Sequence, residues 1–246
     1  MRLRDKTAIV TGGASGFGAG IVRKFAAEGA RVMVADLNDD LARDVAHEIG
    51  GIAHHVDVSS ADSMTQMASA AYDAWGHVDI VVNNAGITHM PKPMEDVDEG
   101  EFDRVLAVNA KSVYLSARAF VPGMKKAGRG AFLNVASTAG LSPRPNLNWY
   151  NASKGWMITA TKTMAIELAP FGIRVNAICP VAGETPLLSS FMGEDTPEKR
   201  AQFLSTIPMG RFSTPEDMGN AAVFLCSEDA SLVTGVAMEI DGGRCI

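Results

Sequence analysis

The sequence predicts one α/β domain in three layers, spanning residues 1–246: a doubly wound parallel sheet of about seven strands with helices on both faces. Short apolar runs alternate with longer amphipathic stretches along all 246 residues, without a linker or low-complexity tract. The short runs are apolar on consecutive positions, as strands covered on both faces require. Apolar residues make up 47% of the chain and glycines number 24, whereas aromatics are few, a mix that suits helices packed closely on a sheet.

Each element follows from local pattern. Thr7–Val10 is a first strand, and Gly16–Glu28 a helix closed by Gly29. Arg31–Asp36 is a second strand, and Asn38–Ile49 a helix stopped at Gly50-Gly51. Ile52–Val56 is a third strand; Ser60 caps a helix reaching Trp75. Asp79–Val82 is a fourth strand, followed by a helix near Phe102–Asn109 and a longer one ending near Met124. Ala131–Val135, Ile173–Ile178 and Val236–Ile240 complete the sheet, with a helix over Tyr150–Leu168. Thr196-Pro197 and Thr214-Pro215 each set a cap before a proline at the first helical position. The least regular segments are Thr88–Gly100 and Val181–Pro208, and the second is long enough to act as a substrate lid, approximately 181–208.

Composition excludes several functions. The net charge is −6 and no basic run occurs, which argues against nucleic acid as a partner. No apolar run reaches spanning length and no signal peptide is evident, so no membrane partner is expected. Cys179, Cys226 and Cys245 are odd in number and far apart, which fits a reducing, cytoplasmic setting. The five histidines form no metal-ligand pattern, and the adjacent pair His54-His55 would point to opposite faces of a strand; no metal is expected.

The first strand runs into Thr11-Gly12-Gly13-Ala14-Ser15-Gly16-Phe17-Gly18, and a helix follows. Gly12, Gly16 and Gly18 allow a sharp turn and close approach to a pyrophosphate, with Ser15 and Phe17 in the same turn and free N–H groups at the helix start. Asp36 ends the second strand, 18 residues beyond Gly18, where a carboxylate accepts from ribose hydroxyls and repels a 2′-phosphate. Leu37 and Asn38 follow it, and neither they nor Ala14 supply a cation. The pair reads as a Rossmann-type site for NAD in preference to NADP.

Four later elements, in order, resemble the classical short-chain dehydrogenase/reductase (SDR) family, and the match covers essentially the whole chain. The glycine turn has the form TGxxxGxG, Asn83-Asn84-Ala85-Gly86 matches the NNAG motif, and Tyr150-Asn151-Ala152-Ser153-Lys154 matches YxxxK. Ser137 lies 13 positions before Tyr150, and Asn109 stands on the helix where the family keeps an asparagine. The resemblance implies a catalytic set of Asn109, Ser137, Tyr150 and Lys154 acting on an alcohol and its carbonyl. Elementary chemistry agrees: residues i and i+4 share a helix face, and an ammonium beside a phenol, whose ordinary pKa is about 10, favours the phenolate. Tyr150 is then the acid/base, and Ser137 binds the reacting oxygen. By resemblance Lys154 also holds the nicotinamide ribose, with Tyr150 beside the same ring, and Asn109 supports a proton-relaying water.

The same resemblance places Asp57 and Val58 at the adenine and Asn84, Ala85 and Gly86 along the adenosine side, although Asn84 could equally stabilise the sheet centre. The family's PGxVxT run is matched at its ends by Pro180 and Thr185; Val181 replaces the usual glycine, and Gly183 stands where a branched residue is common. Substrate walls are expected from Thr88–Pro93, Leu141–Trp149 and the segment after Thr185, with His89, Arg144, Asn148 and Leu187 as candidate contacts. Arg144 has two readings: an anion-binding group, or a solvated or inter-subunit residue. The resemblance also implies a homotetramer, with the apolar end of the chain against a neighbour. The expected function is NAD-dependent interconversion of a secondary alcohol (a polyol, sugar-like compound or hydroxy acid) and its carbonyl. The alternatives are a 3-oxoacyl-carrier-protein reductase-like enzyme and a non-catalytic NAD-sensing protein.

Overall fold

The computed structural model describes residues 1–246 and contains seven parallel strands in the order β3-β2-β1-β4-β5-β6-β7. They are β1 (Thr7–Thr11), β2 (Arg31–Asp36), β3 (Ile52–His55), β4 (Ile80–Asn83), β5 (Gly130–Val135), β6 (Ile173–Pro180) and β7 (Ala237–Ile240). The helices are α1 (Gly16–Ala27), α2 (Asp39–Ile49), α3 (Ala61–Trp75), α4 (Glu99–Leu106), α5 (Ser112–Ala127), α6 (Asn148–Leu168), α7 (Leu188–Met192), α8 (Pro197–Leu204) and α9 (Pro215–Cys226). The expected strands and helices are present, with ends shifted by up to three residues.

The strand pattern divides the core. Val10, Val32, Val34, Val82 and Leu133 face one side and pack with Phe25 of α1, Val45 of α2 and Met218 and Val223 of α9. Their neighbours Ile9, Met33, Val81 and Phe132 face the other and pack with Met64 and Met67 of α3, Phe120 and Met124 of α5 and Leu168 of α6. Runs of apolar residues are needed because both faces are covered. Strand order reverses between β1 and β4, and at such a switch point a crevice opens above the carboxyl ends of the strands.

Two polar devices set the geometry of that crevice. Asn83 Nδ2 donates to Asn134 Oδ1 at 2.8 Å, and Asn134 Nδ2 donates to Thr161 Oγ1 at 2.8 Å. This buried chain fixes the rotation of α6 against the sheet, two turns from Lys154. At the glycine turn, Thr11 Oγ1 accepts from the N–H groups of Asn84 and Ala85, while Asn84 Nδ2 donates to the carbonyls of Thr11 and Gly12, both at 2.9 Å.

The segment 181–208 is more ordered than its sequence predicts: beside the expected helix α8 it contains the short helix α7, and Val181, Leu188, Met192, Ile207 and Phe212 bury one another in a small cluster of their own. Thr196 and Thr214 cap α8 and α9 as their Thr-Pro pairs predict, accepting from Lys199 and Asp217 N–H.

Candidate active site

A cleft of about 450 Å³ opens above the switch point. Its floor is the glycine turn. Gly12 and Gly16 hold φ of +61° and +51°, and a Cβ on Gly18 would lie 2.0 Å from the Gly12 carbonyl oxygen. Only glycine allows this path. Ser15 caps α1 without a side-chain hydrogen bond and the first turn carries no acid, so its N–H groups are open to an anion. Ser15 and Phe17 line the cleft beside the glycines.

Asp36 and Leu37 form the far end. Asp36 Oδ2 accepts from Ala14 N–H and Oδ1 from Asn38 N–H, each at 3.0 Å, so the carboxylate is clamped between the turn and α2. Asp57 and Val58 flank it. The Asp57 carboxyl is held low by hydrogen bonds from the Ser59 hydroxyl and N–H. Asn84, Ala85 and Gly86 line the middle, so Asn84 both faces the cleft and stitches the turn. A cradle of glycines, open helix N–H groups and a fixed carboxylate fit a dinucleotide with free ribose hydroxyls.

The other end carries Ser137, Tyr150 and Lys154. Ser137 follows β5, and its Oγ accepts from Ala139 N–H at 3.0 Å, which leaves its own proton to donate. Tyr150 and Lys154 lie on the buried first turns of α6. Lys154 Nζ donates to the Val135 carbonyl at 2.8 Å and stands 5.9 Å from the centre of the Tyr150 ring. Burial pushes the Tyr150 hydroxyl up to about 12, with the Ser137 hydroxyl acting in the opposite sense. Burial pulls Lys154 down to about 8. The ammonium is therefore the main form at neutral pH.

Asn109 does not line the cleft; it is fully buried behind it, in a π-helical turn (Ala107–Lys111) joining α4 to α5. Its Nδ2 donates to the Ile87 carbonyl at 2.9 Å and to Ser153 Oγ at 3.0 Å, and its Oδ1 accepts from Ile87 N–H at 2.9 Å. Such turns inside helices recur at functional sites.

Pro180, Gly183 and Thr185 line the cleft as well. The departures from the family run have a physical reason: a Cβ on Gly183 would sit 2.3 Å from the Phe17 ring, and Val181 is buried in the cluster under α7. Of the candidate substrate contacts, Arg144 and Leu187 line the cleft, whereas His89 and Asn148 do not. His89 is buried with Nδ1 against the Met90 carbonyl at 2.9 Å, and Asn148 is an exposed first residue of α6. Phe191, which packs its ring edge-on to Tyr150 at 5.1 Å, Phe203 and Asn151 join the walls. Phe203 carried no local signal, because a phenylalanine on a short helix reads as core until its neighbours are known.

The family model described as enoyl-(acyl carrier protein) reductase matches residues 12–244. The chain is 50% identical to 4-formylbenzenesulfonate dehydrogenase of Comamonas testosteroni over the whole of both chains. It is 38% identical to a cyclopentanol dehydrogenase of Comamonas, covering 98% of each chain. A solved 3-ketoacyl-(acyl-carrier-protein) reductase from Brucella melitensis, complexed with NADH, superposes with a TM-score of 0.95 at 48% identity, covering 99% of this chain and 100% of that one.

Proposed function

The chain belongs to the short-chain dehydrogenase/reductase family, as an oxidoreductase of CH–OH groups that uses a nicotinamide cofactor, and on that premise we propose that it is an NAD-dependent dehydrogenase with Tyr150 as its acid/base. The observation that carries this reading is the cleft itself, with the Asp36 carboxylate at one end and Ser137, Tyr150 and Lys154 together at the other. The clamped carboxylate favours ribose hydroxyls over a 2′-phosphate, hence NAD over NADP. Gly12, Ser15, Gly16, Phe17 and Gly18 hold the pyrophosphate, Asp57 and Val58 the adenine, and Asn84 to Gly86 the central stretch. Pro180, Gly183 and Thr185 hold the carboxamide, and Lys154 the nearby ribose.

When bound, the nicotinamide supplies the hydride acceptor, or in reverse the donor. The chain's own groups move the proton. Ser137 donates a hydrogen bond to the carbinol oxygen and fixes it beside the Tyr150 hydroxyl. In oxidation the Tyr150 phenolate takes the O–H proton as the C–H hydride leaves and the C=O bond forms; in reduction the phenol returns it. A phenol pushed up by burial needs cations, and the Lys154 ammonium below the ring supplies one. Asn109 holds the Ile87 backbone at the back of this site. Leu187 and Phe191 make segment 181–208 a lid over Tyr150. The relatives named for 4-formylbenzenesulfonate and cyclopentanol support adding an aromatic aldehyde and a cyclic secondary alcohol to the polyols, sugar-like compounds and hydroxy acids expected from the sequence. A cytoplasmic homotetramer is the accompanying reading.

A second reading, a 3-oxoacyl-carrier-protein reductase, draws on the likeness to the Brucella 3-ketoacyl-(acyl-carrier-protein) reductase. The net charge of −6 disfavours docking of an acidic carrier. An NADH-formation assay with NAD and NADP over secondary alcohols, polyols and hydroxy acids tests the proposal. Turnover with NAD that falls at least about 1,000-fold in Tyr150→Phe, with NAD binding retained, is the expected result. Most of the activity surviving in that variant would sink it.

A further inference from the structure

One guanidinium, that of Arg144, lines the substrate end of the cleft, and a second, that of Arg244, stands behind the wall at Ser142; neither forms an ion pair with a carboxylate. Arg144 lines the cleft half-buried; its Nη2 donates to Thr206 Oγ1 at 3.2 Å and its guanidinium carbon lies 4.1 Å from the centre of the Phe203 ring. Arg244, 100 residues further on, donates from Nη1 to Ser142 Oγ at 3.2 Å, and its Nε is buried with no partner. Ser142 lines the same cleft, so it joins the second cation to the wall that carries the first. The charged group that acts on Arg144 is Arg244, of like sign; burial and that neighbour pull Arg144 down to about 10.

An arginine has five N–H donors, and each of these two satisfies one on a neighbouring hydroxyl. In a chain of net charge −6, two neighbouring cations are left without an ion-pair partner, the nearby Asp241 carboxylate being taken up by the Gly243 and Cys245 N–H groups, and an anion between them would relieve their repulsion. The Arg144 backbone is also built in place. Asn151, next to Tyr150 on α6, donates from Nδ2 to the Arg144 carbonyl at 2.7 Å, so the helix that carries the acid/base also holds the arginine loop. Phe203 packs on the Arg144 guanidinium and Phe191 on the Tyr150 ring, and Leu147 and Leu187 add to the apolar lining of the same cleft.

We propose that Arg144 and Arg244 form a subsite for a fixed negative charge on the substrate, so that the enzyme takes alcohols or carbonyl compounds whose apolar body ends in a sulfonate or carboxylate. The proposal rests on the dehydrogenase reading and deepens it. The planar, always-charged forks suit two oxygens of one anion. The apolar wall covers the ring or hydrocarbon body, and the reacting carbon reaches Ser137 and Tyr150. Asn151 is a positioning residue for this subsite.

The test separates binding from turnover. Titration calorimetry on the full chain, with NADH present and at low salt, would compare benzenesulfonate, benzoate and the neutral benzenesulfonamide. At least one anion is expected to bind about 10-fold or more tightly than the amide, and the tighter of the two assigns the anion. Arg144→Gln and Arg244→Gln should each weaken it by about 10- to 100-fold while NADH still binds. Arg144→Lys should recover part of the loss, which a merely structural arginine would not show. Equal affinity for the anions and the amide, or no binding of any probe by the unmodified protein, would overturn the subsite without needing a variant. Turnover of 4-(1-hydroxyethyl)benzoate against 1-phenylethanol reads the dehydrogenase assignment separately. If the neutral alcohol turns over as well as the charged one, the subsite fails and the dehydrogenase stands. If the anions bind through the arginines and no alcohol turns over, the subsite stands and the dehydrogenase reading fails.

Discussion

Asn109 clasps Ile87 by both ends of its backbone: Oδ1 accepts from Ile87 N–H and Nδ2 donates to the Ile87 carbonyl, each at 2.9 Å. The clasp holds the strand β4 extension against the π-helical turn, and a Cβ on the intervening Gly86 would stand 3.3 Å from Lys154 Nζ. Asn109→Ala would leave two main-chain groups and the Ser153 hydroxyl without this partner. A loss of about 2–4 kcal/mol in urea unfolding is expected, with a fall in kcat. An unchanged midpoint would show that water replaces the amide and that the clasp is not structural.

Asp36→Ala removes the carboxylate that Ala14 and Asn38 N–H groups hold. Its kcat/KM with NAD should fall about 10- to 100-fold, since charge-assisted hydrogen bonds to the ribose go with it. Adding Leu37→Arg, at an exposed position on the cleft, should raise NADP use above that of the single variant. Preference for NADP by the unmodified protein would contradict the assignment.

Burial holds Lys154 near 8, below its ordinary 10.5. The unfolded chain therefore binds more protons than the folded one between about pH 8 and 10.5, and this residue's penalty is full below 8 and fades as pH rises. Relative to Lys154→Met, the unmodified protein should gain stability on the order of 2 kcal/mol from pH 7 to pH 10. Tyr150, raised to about 12 from its ordinary 10, acts with the opposite sign above pH 10, so the comparison is read below that point. Urea midpoints for both proteins at four pH values give the answer, and parallel curves would mean that Lys154 is not desolvated.

Gly20 of α1 meets the backbone of Pro215 at the start of α9: a Cβ there would lie 2.3 Å from the Pro215 carbonyl oxygen. Gly20→Ala should force the two helices apart and cost about 1–3 kcal/mol, although alanine is the better helix former. Because α1 carries the turn proposed to hold the pyrophosphate, NADH affinity should fall with it. A thermal midpoint raised by the substitution would show that the helices separate freely.

The sequence by itself determined the order of strands and helices and the glycine turn, and the residues it proposes for the cofactor all line the cleft. These features are local: a strand shows in a run of apolar residues, a cap in two or three positions, and Tyr150 and Lys154 share a face because one helical turn separates them. The tertiary structure alone decided which distant side chains meet. Nothing near Arg144 announces Arg244, Thr206 or Phe203, and nothing near Phe191 announces Tyr150. His89 and Asn148 lie in the expected segments, but the chain turns the one inward and leaves the other exposed. Segment 181–208 read as irregular because α7 spans five residues, too few to show a helical period, and its order comes from a cluster closed by Phe212 beyond the segment. A polar or aromatic residue acts through its partners, and those partners are fixed by the packing of α6, α8 and the chain end on the sheet, not by the residues next to it.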